Sequence, residues 1–189
     1  TMQSGGRLFD EGMYGCIFTP PLTCEDKSKN PTTEEADTTL SKLILAPAAN
    51  HEWDVMKKIQ KIPLWKNYFV ASESSPCIPA PIQKERDLDN CSILDDHKLS
   101  NFRIINLPYA GTPLTSYRIK MHSFDFMRFV THLIEAGALL NLFGIVHRDI
   151  HQGNILVDDQ QVPRLIDFNL SIFVKSDITN NKLKHKYDY

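Results

Sequence analysis

The stretch HRDIHQGN at 147–154, followed by LIDFNL at 165–170, constrains this chain more than any other feature. It sets His147, Arg148 and Asp149 side by side and places Asn154 five residues after Asp149. A second aspartate, Asp167, follows inside an apolar run and precedes Phe168. Six specified residues at about one in twenty each would fall at these spacings by chance roughly a few times per million chains this long. The pattern therefore demands a fold in which a polar loop and a later acidic turn both matter.

The bulk properties leave room for such a fold. A chain of 189 residues forms one ordinary domain or two small lobes with a real core. No apolar run approaches the roughly 20 residues that span a bilayer, and no signal-peptide core is evident. Net charge is −2, so no field of one sign points to nucleic acid or to an anionic membrane. Cys16, Cys24, Cys77 and Cys91 are scattered without a CxxC pair. They are expected to be reduced thiols in a cytosol-like compartment.

Along the chain, RLFDEGMYGCIF places apolar residues on both sides of a glycine-bearing turn, as in a hairpin. Residues 19–39 are polar and rich in Pro and Thr, which predicts a long exposed loop. LSKLIL at 40–45 reads as a short buried strand. Asn50 is a plausible N-cap for a helix over about 51–61, with Val55, Met56, Ile59 and Ile62 at helical spacing and Pro63 as its end. NYFVA (67–71) and FRIINL (102–107) are candidate strands. A helix is expected over about 124–143, capped by Ser123 and stopped by Gly144. Phe126, Phe129, Val130, Leu133, Ile134, Leu140 and Phe143 would line its apolar face. NILVDD and PRLIDF suggest a hairpin of two short strands. The division expected is 1–107 and 108–189, a strand-rich part followed by a helix-led part.

HRDIHQGN followed by DFN resembles the catalytic loop and metal-binding segment of the protein-kinase-like superfamily. The resemblance implies an α+β bilobal fold, with an antiparallel β-rich N-lobe carrying one helix and a partial helical C-lobe. It also implies ATP and Mg²⁺ as cofactors and a protein substrate with a Ser/Thr acceptor. In that frame Asp149 would accept the acceptor's hydroxyl proton, and Asn154 and Asp167 would hold Mg²⁺. Lys42 would contact the α- and β-phosphates, with Glu52 as its partner, or else Asp54 or one of Glu34 and Glu35, because an unpaired buried ammonium is costly. Gly12, Gly15 and Ile17 match the last fixed positions of the Gly-rich loop, whose missing side chains let backbone amides reach phosphate. Asp10 stands where its first glycine is expected. INLPYAGTPL at 105–114 resembles the hinge, so backbone groups from Leu107 through Tyr109 to Ala110 would meet adenine, with Asn106 near the gatekeeper position. His147 would buttress the loop, and Arg148 would pair with a phosphorylated Ser171, Ser176 or Thr179 or serve a structural hydrogen-bonding role. The account implies that distant acidic side chains and one amine converge on a single triphosphate.

Three departures keep alternatives open. Asn169 replaces the glycine of DFG, and Asn tolerates left-handed backbone better than most residues. His151 stands where Ser/Thr kinases usually carry lysine, and DIHQGN is also similar to the loop of aminoglycoside and choline kinase relatives. No APE follows Asp167, which suggests a truncated larger lobe. A small-molecule kinase, or a pseudokinase acting as a nucleotide-binding or virion scaffold module, therefore stands beside the Ser/Thr protein kinase. EGMYGCIFTPPLTC, SKLIL and KNYF are similar to kinase-like proteins of large cytoplasmic DNA viruses, which implies the host cytoplasm or the virion as location.

Overall fold

Lys42 and its apolar neighbours form the third strand of a four-stranded antiparallel sheet in the computed structural model. The structure describes residues 7–12, 15–83, 88–120, 122–176 and 185–186. Two compact units emerge: Thr1–Trp53 with Ser72–Tyr109, and Asp54–Ala71 with Ala110–Tyr189. A single cut at 107/108 does not describe this division. The chain passes into the second unit within a helix, returns at Ser72, and leaves again after Tyr109.

In the first unit, β1 (Arg7–Gly12), β2 (Gly15–Thr19), β3 (Thr39–Leu45) and β4 (Phe102–Pro108) lie in that order. The β3 register sets Lys42 opposite Ile17 on one side and Ile105 on the other. Ser41, Lys42, Leu43 and Ile44 are all buried, as expected of an inner strand covered on both faces. Gly15 is required by packing: a Cβ there would collide with Ile44 Cγ2 and stand 2.5 Å from the Leu43 carbonyl oxygen.

Two disulfides, Cys16–Cys91 and Cys24–Cys77, close loops of 75 and 53 residues, with Cα–Cα distances of 6.1 and 5.7 Å. This corrects the reading of four reduced thiols. That reading rested on the lack of a local CxxC pair, whereas these partners are brought together by the sheet. The Cys77 N–H donates to the Ile104 carbonyl and the Cys77 carbonyl accepts from the Ile104 N–H, extending the sheet beyond β4. Cys24 bridges in turn to Pro79. Segment 19–39 is exposed over much of its length, as expected of a loop, but it is anchored and covers a sheet edge. It buries Leu22 and Cys24 and holds a short helix, α1 (Thr33–Ala36), closed by a Thr32/Glu35 capping box.

α2 (Ala46–Ile59) starts earlier than Asn50 suggests, because Pro47 sits in the first turn, where its missing N–H costs nothing. Its Val55 and Ile59 join the second unit's core with Ile62, Phe69, Phe129, Leu140, Leu165 and Phe168. That core is built on α3 (Phe126–Leu142), for which Asp125, not Ser123, is the N-cap, accepting from the Arg128 amide at 2.9 Å. Phe126 and Ile134 stand 65% and 66% exposed, so the buried face is narrower than its periodicity suggested. Gly144, at φ +64°, ends the helix as expected. Of β5 (Thr112–Pro113), β6 (Ile145–Val146), β7 (Ile155–Val157), β8 (Pro163–Leu165) and β9 (Ile172–Phe173), the sheets are β5-β7-β8 and β6-β9. NYFVA is not a strand. Left-handed Leu64 and a 3-10 turn at Trp65–Asn67 precede a single bridge from Phe69 to Leu165.

The disulfides yield a direct expectation. Thiol titration of the unreduced, unfolded chain should find no free cysteine, and Cys16→Ser should cost about 2–4 kcal/mol of stability in chemical denaturation. Four titratable thiols would contradict the pairing.

Candidate active site

The candidate side chains fall into two groups, one in each unit. In the first, Lys42 Nζ meets both carboxylate oxygens of Glu52, at 3.0 and 2.8 Å. Lys42 is 7% exposed and Glu52 fully buried, so each needs its counter-charge. The last three residues of β3 after Lys42 and about two turns of α2 bring them together. β1 and β2 pair antiparallel, with Gly12 opposite Gly15; Met13 and Tyr14 lie outside the described residues. A Cβ at Gly12 would meet only the Gly15 carbonyl oxygen, at 3.8 Å. Packing does not demand a glycine at 12 as it does at 15. Ile17 lies on β2 beside Lys42. Asp10 turns its Oδ1 onto the Glu11 amide at 2.9 Å, and the Glu11 carboxylate takes the Ser92 amide and hydroxyl.

Leu107 and Tyr109 sit at and just past the end of β4. The Tyr109 amide already donates to Thr38 O at 2.7 Å, so that N–H is not open to a ligand. The amide of Asn106 bonds Ser41 Oγ at 2.8 Å and Lys29 O at 3.2 Å, which makes it a tie between β4, β3 and the edge cover.

In the second unit, the loop after β6 holds both backbone polar groups of one residue. Ile166 donates its N–H to Asn154 O at 3.1 Å, and its carbonyl takes the His147 Nε2–H at 2.9 Å. His147 Nδ1 accepts from the Asp149 amide, which leaves the ring proton on Nε2. The ring stacks at a tilt, 5.0 Å from Phe168, and is 3% exposed. Burial pushes its pKa below the ordinary value, only partly offset by the Ile166 bond and by the nearby Asp167 and Asp149 charges.

Asn154, at the end of a 3-10 turn, gives Nδ2 to both the backbone and Oδ2 of Asp149, each at 3.0 Å. Two acceptors on one side require the amide nitrogen there, so Oδ1 faces the other way. No hydrogen bond to Asp149 Oδ1 is found among the described residues. Arg148 and Asp167 have φ of +68° and +62°, a conformation that costs non-glycine residues about 1–3 kcal/mol each. The left-handed residue of the DFN turn is thus Asp167 and not Asn169, contrary to the expectation for the substituted glycine. Asn169 instead buries both side-chain amide atoms, with no hydrogen-bond partner for either among the described residues. Ser171 is fully buried and its hydroxyl donates to His147 O at 3.3 Å, so it is no exposed phosphate acceptor for Arg148. Thr179 and the side chain of Ser176 lie outside the described residues.

Sequence reading missed the left-handed pair and the double clasp on Ile166. Neither has a signal in residue type, since both arise from how the loop closes. The donor set suits a hard cation: Asn154 Oδ1 and the Asp167 carboxylate are oxygen atoms that could serve as ligands. No cluster of three His, Cys, Asp or Glu able to hold a metal occurs among the described residues. A metal there would need phosphate or water oxygens to fill its shell, which is the usual manner for Mg²⁺.

Comparison with known proteins bears on the whole chain. A family model described as "Protein tyrosine and serine/threonine kinase" matches residues 23–188. A "Protein kinase and PP2C-like domain-containing protein" of Oryza sativa subsp. japonica is 49% identical over 45 residues, 24% of this chain and 7% of the rice protein. A "Probable cell division protein kinase" of Encephalitozoon cuniculi is 34% identical over 74 residues, 39% of this chain and 24% of that protein. The matched stretches thus span less than a quarter of either relative.

The buried His147 makes acid sensitivity a check on the clasp. Above its ordinary value of 6.5 the ring is neutral in folded and unfolded chains, so pH exerts no leverage through it. Below 6.5 the unfolded chain takes up a proton before the folded one does, and stability should fall as pH drops. Melting temperatures measured from pH 8 to 5 should show this fall, and His147→Gln should flatten it. An unchanged slope in the variant would assign the acid sensitivity elsewhere.

Proposed function

The chain belongs to the protein tyrosine and serine/threonine kinase family, and on that premise we propose that it is an ATP- and Mg²⁺-dependent phosphotransferase acting on Ser/Thr of a protein. The carrying observation is the Asp149 carboxylate, fixed at Oδ2 by Asn154 and open at Oδ1. Bound Mg²⁺ would neutralise phosphate charge, and Asn154 Oδ1 and Asp167 are the residues that would hold it. Asp149 Oδ1 takes the proton of the acceptor hydroxyl as that oxygen attacks. Lys42, kept extended by Glu52, stabilises α- and β-phosphate charge. Gly12 leaves backbone clear for phosphate oxygens, and Leu107 with Tyr109 borders the base. Because the Tyr109 amide is engaged, adenine recognition falls to the remaining groups of the 107–110 backbone.

Two observations favour other readings. His151 beside Asp149 fits a small-molecule kinase, for which sugars or aminoglycosides would be the acceptors and proteins would not. The unpartnered amide of Asn169 fits a nucleotide-binding module without turnover. The nearer resemblance to viral kinase-like proteins rests on the N-terminal motifs alone.

Asp149→Asn should lower γ-phosphate transfer from ATP by about 10²–10⁴-fold while leaving ATP affinity nearly unchanged. Asp167→Asn should abolish the Mg²⁺ dependence of ATP binding in a thermal-shift titration. Wild-type turnover in Asp149→Asn would remove the role assigned to it, and ATP binding without transfer to any acceptor in the wild type would favour the non-catalytic module.

A further inference from the structure

The loop carries one side chain that the proposed chemistry leaves unused. His151 has an extended backbone (φ −145°, ψ 171°) and caps the 3-10 turn Gln152–Asn154, its Nδ1 accepting from the Gly153 amide at 3.0 Å. An accepting Nδ1 leaves the proton of the neutral ring on Nε2. Nε2 stands 3.7 Å from Asp149 Oδ2, the oxygen that also receives Asn154 Nδ2 at 3.0 Å. Gly153 makes this possible. A Cβ at 153 would stand 2.8 Å from His151 Cε1 and 3.0 Å from Nδ1, so only glycine lets the ring fold back over its own turn.

We propose that His151 is a positioning residue for Asp149: its Nε2–H and the Asn154 amide together hold Oδ2, which presents Oδ1 to the acceptor hydroxyl. The inference rests on the kinase reading above. At 3.7 Å the contact is an approach rather than a hydrogen bond, and such contacts tighten when substrates are in place. His151 transfers no proton. The hydroxyl proton goes to Asp149 as the new O–P bond forms and the bond from the γ-phosphorus to the departing ADP oxygen breaks. A lysine at this place would bring a mobile full charge on a flexible stem, whereas the imidazole brings a donor whose direction the Gly153 amide sets.

The capping and donating roles of His151 are separable. Asn at 151 keeps an acceptor for the Gly153 N–H but has no group that reaches Asp149. Gly153→Ala keeps the histidine and displaces its ring. Both variants are to be compared with wild type for transfer of labelled γ-phosphate from Mg²⁺-ATP to casein and histone. His151→Asn should unfold at the wild-type temperature, keep the KM for ATP, and lose about ten- to a hundredfold in kcat. Gly153→Ala should show the same pattern. Wild-type kcat in both variants, or a change confined to KM, overturns the role of His151. A wild type that transfers no more label than Asp149→Asn overturns the kinase reading itself, and this inference with it.

Discussion

The backbone of Ile166 is the point on which the arrangement of the second unit's candidate residues depends. Its N–H is taken by Asn154 O and its carbonyl by His147 Nε2–H, so both ends of the 147–154 loop are tied to the residue immediately before Asp167. Each neutral bond of this kind contributes about 1 kcal/mol net, yet leaving either group buried and unmade costs about 1–3 kcal/mol. That asymmetry gives the arrangement its specificity. The loop cannot shift relative to Asp167 without stranding a buried donor or acceptor. The closure also supports two left-handed non-glycine residues, Arg148 and Asp167, whose strain persists only where neighbours over-determine it.

The first unit solves a different problem, the burial of one ammonium in a sheet. Lys42 is placed on an inner strand between Ile17 and Ile105, where it cannot reach bulk water at low cost. The Glu52 carboxylate answers it bidentately from α2. Such a pair is no evidence of stability in itself, since a well-packed apolar pair often does as well or better. Its presence in a sheet otherwise rich in Ile, Leu and Phe points to charge held for a ligand. Stability comes instead from the apolar side of the sheet and from two long-range disulfides, Cys24–Cys77 holding the edge cover and Cys16–Cys91 holding β2.

Much of this was legible in residue order, and the exceptions share a cause. Strand β3, the partnership of Lys42 with Glu52, helix α3 and the loop-hairpin-turn layout from His147 to Asp167 follow from local pattern or from a motif with a physical rationale. The disulfides were not legible, because Cys16 and Cys91 stand 75 positions apart and meet only in the folded chain. The order of segment 19–39 was hidden for the same reason: its polar composition says nothing of the Cys77–Ile104 ladder it covers. Ser123 was a fair cap on type alone, but Asp125 sits where the first turn actually begins. Asn169 was expected to supply left-handed backbone, yet that duty falls to Asp167 because the Ile166 clasp fixes where the chain must turn.

The central claim is that one amide, Asn154, faces Asp149 with its nitrogen and a metal with its oxygen. A crystal structure of the chain with Mg²⁺ and a non-hydrolysable ATP analogue tests it most directly. The account predicts Asn154 Oδ1 and an Asp167 carboxylate oxygen at about 2.1 Å from the ion, with Asn154 Nδ2 still on Asp149. An ion held without either residue, or an Asn154 amide turned away from Asp149, would contradict it.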